Sequence, residues 1–517
     1  LILKRAIKAF LDRQLEDYRR YKKLTWEQLI ELKDQLPVKP PIWKPLRQHQ
    51  RVCFLAGAKT GRFYFQNDTG TGKTLLSIAL IRYFAKLKKN KCVLVLVPNK
   101  ILKYEWAREI KKHSPGTKYC ILRGSSADKW KQLEATDALI VVETFAGLIR
   151  MVCTFVASKK GKKKPRLKPN AKQIKRLMLC IDGLVMDEST VVKNHRKLPY
   201  RICRQISKSV ATVFALTGTP FGRDPIDLWA QMYLVDKGET LGPTLGLFRA
   251  AFFKASDNFW GGFNYAIDPK KLGLLHRTVA NRSLRYAADK SDLPALVQIE
   301  KFVSLPQTAE LYYKKARDSV IAAQGNYLEM KNAFLRMRQI SSGFVGYYDD
   351  EEGTRAQFEF PTNPKLELLL STLESIRPDR KVLVFHDFIY SGAVISRGLT
   401  ELGIKHVRLH SKTKDAAALL HEFDHDPACR VFVLAKAGFY GLNLQSAQYG
   451  LVYESPVAVI LRKQMERRFE RQESKHRRVF LYDFMVRGTV DERIREFHAE
   501  GQSYFDAIVE GKAKADC

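Results

Sequence analysis

Short runs of consecutive apolar residues alternate along this chain with stretches in which apolar positions recur every three or four residues. "KCVLVLVP" (91–98), "DALIVVETF" (137–145), "GLVMDE" (183–188) and "VATVFALTGTP" (210–220) are of the first kind. β-branched runs separated by amphipathic segments predict parallel strands buried on both faces by helices, an α/β lobe. The rhythm weakens between about 236 and 360, where aromatic and helical sequence dominates. It resumes with "KVLVFHDF" (381–388), "KHVRLHSKT" (405–413), "CRVFVLAKAG" (429–438) and "RRVFLYDF" (477–484), a second α/β lobe. Residues 1–45 carry Leu, Lys, Arg and Glu at helical spacing and end in "LPVKPPIWKP", a helical extension followed by a stiff linker. The expected division is thus 1–45, a first lobe over 46–235, a helical region over 236–360, a second lobe over 361–495 and a helical tail over 496–517.

Charge changes the picture most. Lysine and arginine outnumber aspartate and glutamate by 89 to 54, a formal net charge of +35. An excess of this size points to a polyanionic partner, nucleic acid before any membrane surface, for which a basic amphipathic anchor or lipidation signal is wanting. No apolar run approaches the roughly 18 residues that span a bilayer. The eight cysteines are scattered, without a CxxC pair or a secretory signal, which suits a reducing, intracellular setting. The sequence opens on Leu1, so a true start and its targeting information are expected to be missing.

Two patterns carry chemistry. "NDTGTGKTLLSIAL" (67–80) sets a glycine-rich turn before an apolar helical stretch. Gly70 and Gly72 let the backbone, including Thr71, approach phosphate oxygens; Lys73 supplies a cation and the Thr74 hydroxyl a magnesium ligand. Asn67 stands where the full GxxxxGK[ST] pattern has its first glycine. The run ending in Asp187-Glu188 supplies the second half: a carboxylate for Mg²⁺ and one to polarise a water. Either pattern alone is weak. Together they predict ATP and Mg²⁺ as cofactors.

The order of the remaining segments resembles the superfamily 2 helicases and translocases, specifically the Swi/Snf-like branch of motor ATPases on double-stranded DNA, over roughly 46–495. "LRQHQ" (46–50) is similar to the adenine-side motif, which implies Gln50 as an adenine contact. "LVLVPNKILKYEWAREIKK" (94–112) resembles motif Ia, with Pro98, Trp106 and Glu109 in register, and "VVETF" (141–145) stands where the next DNA-contacting motif belongs. "LTGTP" (216–220) and "DLW" (227–229) resemble motif III and its continuation. "LRYAADKSDLPALVQIEKFVSLPQTAELY" (284–312) looks like the linker that follows the first lobe. "AGFYGLNLQSAQ" (437–448) resembles motif V through Gly441 and Asn443, and "QMERRFERQ" (464–472) resembles motif VI through Gln464, Arg468 and Arg471.

The resemblance implies two RecA-like lobes with ATP bound between them. Gln50, Gly70, Thr71, Gly72, Lys73, Thr74, Gly441 and Gln464 would hold the nucleotide, and Thr74 and Asp187 the Mg²⁺. Lys73, Asp187, Glu188, Arg468 and Arg471 would carry hydrolysis, the arginines neutralising charge on the γ-phosphate while Arg467 stays at the surface. Lys100, Thr144 and Asn443 would contact DNA. It implies a monomeric motor that moves on duplex or branched DNA, with unwinding or branch migration open; the lack of recognisable chromatin-reading or histone-binding appendages favours a compact motor, as in a virus or microbe. The other reading is a catalytically degenerate scaffold that binds nucleic acid without turnover. Two departures stand out: Ser189-Thr190 replaces the usual end of the DEAH-type motif, and Gln472-Glu473-Ser474 lacks the glycine-glutamine pair after motif VI. Lys193 and Asn194 keep the continuation after motif II.

Three stretches stay outside that scheme. "KKGKKKPRLKPNAKQIKR" (159–176), with Lys162, Lys163 and Lys164 at its centre, is read equally as an electrostatic clamp on DNA and as a solvated run. "HEFDH" (421–425) satisfies HExxH, but it falls on a helix between two strands, without a further ligand motif, and is read as ordinary helix. The aromatic-rich "FRAAFFKASDNFWGGFNYA" (248–266) suits either a DNA-separating wedge or a core.

Overall fold

In the computed structural model the described residues are 2–13, 15–68, 70–156, 166–218, 226–257, 263–287, 294–323, 326–349, 354–410, 413, 415–435, 444, 446–467 and 476–501. Their strands, in chain order, are β1 (Arg62–Phe65), β2 (Val93–Val97), β3 (Tyr119–Ile121), β4 (Ile140–Thr144), β5 (Cys153–Val156), β6 (Arg166–Pro169), β7 (Gly183–Asp187), β8 (Thr212–Leu216), β9 (Phe253–Asp257) and β10 (Phe263–Ile267). They continue with β11 (Ser283–Leu284), β12 (Ala295–Val303), β13 (Phe344–Asp349), β14 (Thr354–Glu359), β15 (Val382–Phe385), β16 (His406–Leu409), β17 (Val431–Leu434), β18 (Tyr449–Val452) and β19 (Arg478–Val486). The chain divides into two compact units, Leu1–Ala288 and Asp289–Cys517.

The first unit is built on a parallel seven-stranded sheet in the order β11-β1-β8-β7-β2-β4-β3. Side chains alternate across a strand, so "VLVLV" in β2 feeds two cores at once. Leu94 and Leu96 pack on one face with Leu184, Met186, Val213 and Ala215; Val93, Val95 and Val97 pack on the other with Val185, Phe214 and Leu216. Both faces are covered, as a parallel sheet requires. The N-terminal segment belongs to this unit: Phe10 joins the first core, and Tyr18, Tyr21, Leu29 and Ile42 join the second. From the aromatic-rich stretch, Phe248, Phe252 and Phe253 are buried in the first core, while 258–262 lie outside the described residues.

The second unit has a parallel six-stranded sheet, β12-β19-β18-β15-β17-β16. Val382, Val384, Val431, Val433 and Leu451 share one core with the helices Pro364–Ser375 and Ile389–Glu401. The helices Gln307–Ala322 and Tyr327–Ser341 build another with Val490 and Ile494. Residues 236–360 contribute to both units and include two antiparallel hairpins, β9–β10 and β13–β14, besides their helices. Among the described residues no helix is long and apolar enough to cross a membrane.

Candidate nucleotide site

β1 ends at Phe65, and the chain turns through Gly70 (φ 88°) and Gly72 (φ 74°) into the helix Lys73–Lys86. Both glycines sit in the left-handed region that other residues enter only with strain. Gly72 is the helix N-cap and offers no side-chain acceptor to the first helical N–H groups, the end of a helix that favours an anion. A Cβ added at Gly70 would meet nothing within 4 Å, whereas one at Gly72 would fall 2.1 Å from Nε2 of Gln50. That second clash explains the glycine. Buried Gln50 donates from Nε2 to the carbonyls of Thr71 (3.1 Å) and Gly72 (3.2 Å), clamping the turn from behind.

Asn67, the departure from the full motif, braces the same turn. Its side chain is buried, donates to Sγ of Cys53 (3.4 Å) and accepts from the backbone N–H of Tyr286 (3.0 Å). Lys73 folds back, its ammonium donating to the carbonyls of Asn67 (2.8 Å) and Asp68 (3.0 Å).

β7 delivers Asp187 at its C-terminal end, buried and fixed by two donors: the indole Nε1 of Trp106 to Oδ2 (2.9 Å) and the backbone N–H of Glu188 to Oδ1 (3.0 Å). Burial raises its carboxyl to about 6, the neighbouring Glu188 charge adds to the rise, and the Trp106 bond and the Lys73 charge oppose it. Trp106 sits in the helix Lys100–His113, inside the motif Ia-like stretch. Its role toward Asp187 was not read from the sequence, because an indole some eighty residues upstream carries no local signal of its partner.

Glu188 adopts φ 51°, ψ 59°, a left-handed conformation costing of order 1 kcal/mol that turns its carboxylate off the strand line. Thr217, just past β8, donates from Oγ1 to Oε2 of Glu188 (3.4 Å). Ser189 is fully buried and donates to Oε1 of Gln231 (2.8 Å), which also accepts from the Tyr64 hydroxyl (2.7 Å). Gln231 lies on the helix Asp227–Asp236, and Asp227 pairs with Lys193 (2.8 Å). Ser189 and Thr190 are the pair that departs from the DEAH-type motif. In the structure the Ser189 hydroxyl bonds to the helix that follows motif III.

Of the residues singled out for DNA, Lys100 is exposed at the start of its helix. Thr144 is buried, and its hydroxyl accepts the backbone N–H of Gly147 (2.9 Å) as the cap of the helix Phe145–Val152. Beside it Glu143 is buried between the ammonium groups of Lys103 (2.5 Å) and Lys129 (2.8 Å). In the second unit, Gln464 is buried on the helix Val459–Glu466, with Oε1 lacking a hydrogen-bond partner among the described residues. That helix is anchored by buried Arg462, which bonds Oδ2 of Asp483 (2.7 Å) and Oε1 of Glu466 (2.6 Å). Gly441, Asn443, Arg468, Arg471 and the lysines 162–164 lie outside the described residues; β6, within the basic run, pairs antiparallel with β5, which precedes it. The HExxH segment ends the helix Ala416–His425, where Lys405 lies 3.5 Å from Glu422 and the two histidine rings stack at 4.2 Å.

Comparison with known proteins places the chain in one family. The chromatin-remodeling ATPase INO80 of Kluyveromyces lactis is 28% identical over 180 residues, 34% of this chain and 12% of that protein. Putative protein p41 of Acyrthosiphon pisum secondary endosymbiont phage 1 is 26% identical over 302 residues, 54% and 60% of the two chains. The Xenopus tropicalis SWI/SNF-related matrix-associated actin-dependent regulator of chromatin subfamily A-like protein 1 is 21% identical over 84% of this chain and 42% of its own. The chain thus spans less than two thirds of each of these relatives. The solved Sulfolobus solfataricus SWI2/SNF2 ATPase core in complex with dsDNA aligns over 92% of this chain and 96% of its own. Its identity is 21% and its TM-score 0.39, too low for its arrangement to be carried over. Residues 47–346, more than half of the chain, match the SNF2-related domain, and the chain belongs to that family.

Proposed function

We propose that this chain is an ATP-dependent motor on DNA, hydrolysing ATP as it moves along a duplex. The observation that carries this reading is Asp187: a buried carboxylate held by Trp106, at the end of a parallel strand, electrostatically coupled to the Lys73 ammonium of a glycine turn. The residues fit a magnesium-nucleotide on three counts. The turn is open at Gly70, the helix behind it begins without a side-chain cap, and Asp187 is a buried anion that a cation would relieve. When bound, Mg²⁺-ATP supplies the phosphoanhydride and the positive charge that offsets charge developing on the transferred phosphoryl group.

Lys73 would exchange its carbonyl partners Asn67 and Asp68 for phosphate oxygens, and the Thr74 hydroxyl and Asp187 would hold the Mg²⁺. Glu188, turned off the strand line and touched by Thr217, orients and deprotonates the attacking water. Gln50, Gly70, Thr71 and Gly72 shape the turn; an adenine contact for Gln50 would require it to leave the carbonyls it holds. Gln464, Gly441, Arg468 and Arg471 are assigned to the nucleotide by family resemblance, as are Lys100, Thr144 and Asn443 to DNA. The names of the relatives, chromatin-remodeling ATPases among them, and the +35 charge support a duplex partner. Strand separation and branch migration are the finer reading, to be compared on forked, four-way and blunt DNA.

The test is phosphate release with and without duplex DNA. Lys73→Ala and Glu188→Gln should each lower DNA-stimulated turnover by about 10²-fold or more while duplex binding survives. Turnover like that of the wild type in either variant would overturn the assignment. A wild type that binds duplex without turnover would instead establish the scaffold reading.

A further inference from the structure

One row of residues lies just past the C-terminal ends of three adjacent strands of the first unit. β1 pairs with β8 through Phe65 and Leu216, and β8 with β7 through Leu216 and Asp187. The ladder runs one step further, since the backbone N–H of Thr217 donates to the carbonyl of Phe65 (3.0 Å). The next row is therefore Gln66, Thr217 and Glu188. Two residues before each of them, Tyr64, Ala215 and Met186 share a core on one face of the sheet. Side chains alternate along a strand, which sends Gln66 to that face. Its neighbours agree: Phe65 packs in the core of the other face, and Asn67 bonds Cys53 of that same core. Glu188 leaves the strand line but stays on the Tyr64 side. Burial lifts the Tyr64 hydroxyl well above its ordinary range, the Ser189 bond opposes that rise, and the Glu188 charge adds to it.

Gln66 is only 7% exposed, and its amide Nε2 has no hydrogen-bond partner among the described residues. Its backbone is pinned by its N–H to the carbonyl of Leu284 (2.8 Å), which holds the side chain in the row. A buried donor without an acceptor is costly, and its retention calls for a use beyond packing. On this face Oε1 of Gln231 already accepts from Ser189 (2.8 Å) and Tyr64 (2.7 Å), which engages both of its lone pairs. The Thr217 hydroxyl stands one strand away, about 4.8 Å between backbones, a spacing that a glutamine side chain spans. A hydroxyl accepts as well as donates. The proton of this one goes to Oε2 of Glu188 over a long 3.4 Å.

The geometry points to Gln66 as a positioning residue for Glu188, acting through Thr217. This deepens the motor reading and rests on it. In the working site Nε2 of Gln66 donates to Oγ1 of Thr217, which turns the threonine proton toward Glu188. Hydrogen bonds in series polarise one another, so the long bond tightens and the carboxylate is held in one orientation toward the attacking water. Gln66 makes and breaks no covalent bond and moves no proton; it fixes the hydroxyl that fixes the base. A glutamine retained for packing alone would have no use for a buried amide, and an apolar side chain of the same length would serve the core better.

The test follows duplex-stimulated phosphate release against ATP concentration in the wild type, Gln66→Met, Thr217→Val and the double variant, with melting temperatures in parallel. Methionine keeps the length of the side chain and removes the amide. In Gln66→Met kcat should fall about tenfold while KM for ATP stays within about twofold. The melting temperature should not fall, because the amide removed has no partner in the fold. The double variant should lose no more than the worse single variant, within about twofold, as members of one chain of bonds do. Wild-type kcat in Gln66→Met overturns the inference, as do losses that multiply in the double variant. A lower kcat that comes with a raised KM and a lower melting temperature assigns Gln66 to the structure of the turn and overturns it too. A wild type that releases no phosphate overturns the motor reading and this inference with it, whereas the other outcomes leave that reading standing.

Discussion

β4 and β7 flank β2 in the same sheet, and each brings a buried carboxylate to its C-terminal end. Glu143, the penultimate residue of β4, lies between two ammonium groups, those of Lys103 and Lys129. Asp187, the last of β7, is held by an indole N–H and a backbone N–H, while Lys73 directs its ammonium to two carbonyls. The first carboxylate already has its counter-charge. The second is fixed in place with its charge only partly offset, which is the condition of a site that completes itself with a cation from solution. Equal burial therefore means different things at the two positions: at Glu143 the buried charge is paired, and at Asp187, on the proposed function, it is held for a ligand.

The comparison breaks most readily at Glu143. Glu143→Gln keeps the shape but leaves Lys103 buried without its counter-charge, and should destabilise the first unit by about 3 kcal/mol or more, read as a lower denaturant midpoint. A loss below about 1 kcal/mol would show that the cluster is solvated in solution. Asp187→Asn should act in the opposite direction. The Asp187 carboxyl titrates at about 6 in the folded protein, against an ordinary value of 3.8. Between those values the folded chain holds a proton that the unfolded chain has lost, so the burden on stability grows as pH rises and is complete above about 6. The asparagine variant should accordingly be more stable by about 1–2 kcal/mol at pH 8, with the advantage gone by pH 4. Mg²⁺-ATP should raise the melting temperature of the wild type and barely that of the variant.

The two carboxylates also differ in how far the sequence disclosed them. Asp187 stood at the end of an apolar run, downstream of a glycine turn, and that pairing is a local pattern with a chemical reason. The eight apolar runs at 91–98, 137–145, 183–188, 210–220, 381–388, 405–413, 429–438 and 477–484 are strands for the same reason, since a doubly covered sheet leaves little room for polar side chains within a strand. β1, "RFYF", escaped notice because four residues with an arginine at the head show no clear period. Glu143 and Lys129 were unreadable as a pair, and so was Trp106 as the partner of Asp187. Such contacts join side chains from different elements, and only the folding of the sheet puts them in reach. The N-terminal segment looked like an appendage because its helical period is strong, yet Tyr18, Tyr21 and Leu29 lie in the first unit's core.

The smallest expected effect falls one residue beyond Asp187 and Glu188. Ser189 bonds Gln231, and Thr217 bonds Glu188, so two hydroxyls tie the motif II strand end to β8 and to the helix Asp227–Asp236. Lys193 and Asp227 reinforce the second tie at the surface. Ser189→Ala removes one hydroxyl but leaves Gln231 its bond from the Tyr64 hydroxyl, so stability should fall by only about 1 kcal/mol. If this tie transmits the state of the nucleotide, basal phosphate release should hold within about twofold while stimulation by duplex DNA drops severalfold. Ser189→Thr, which keeps the hydroxyl, should retain part of that stimulation. Equal loss of basal and stimulated rates in Ser189→Ala would place the serine in support of Asp187 and Glu188 themselves. An unchanged ratio and unchanged rates would return the coupling to Thr217 and Glu188 alone.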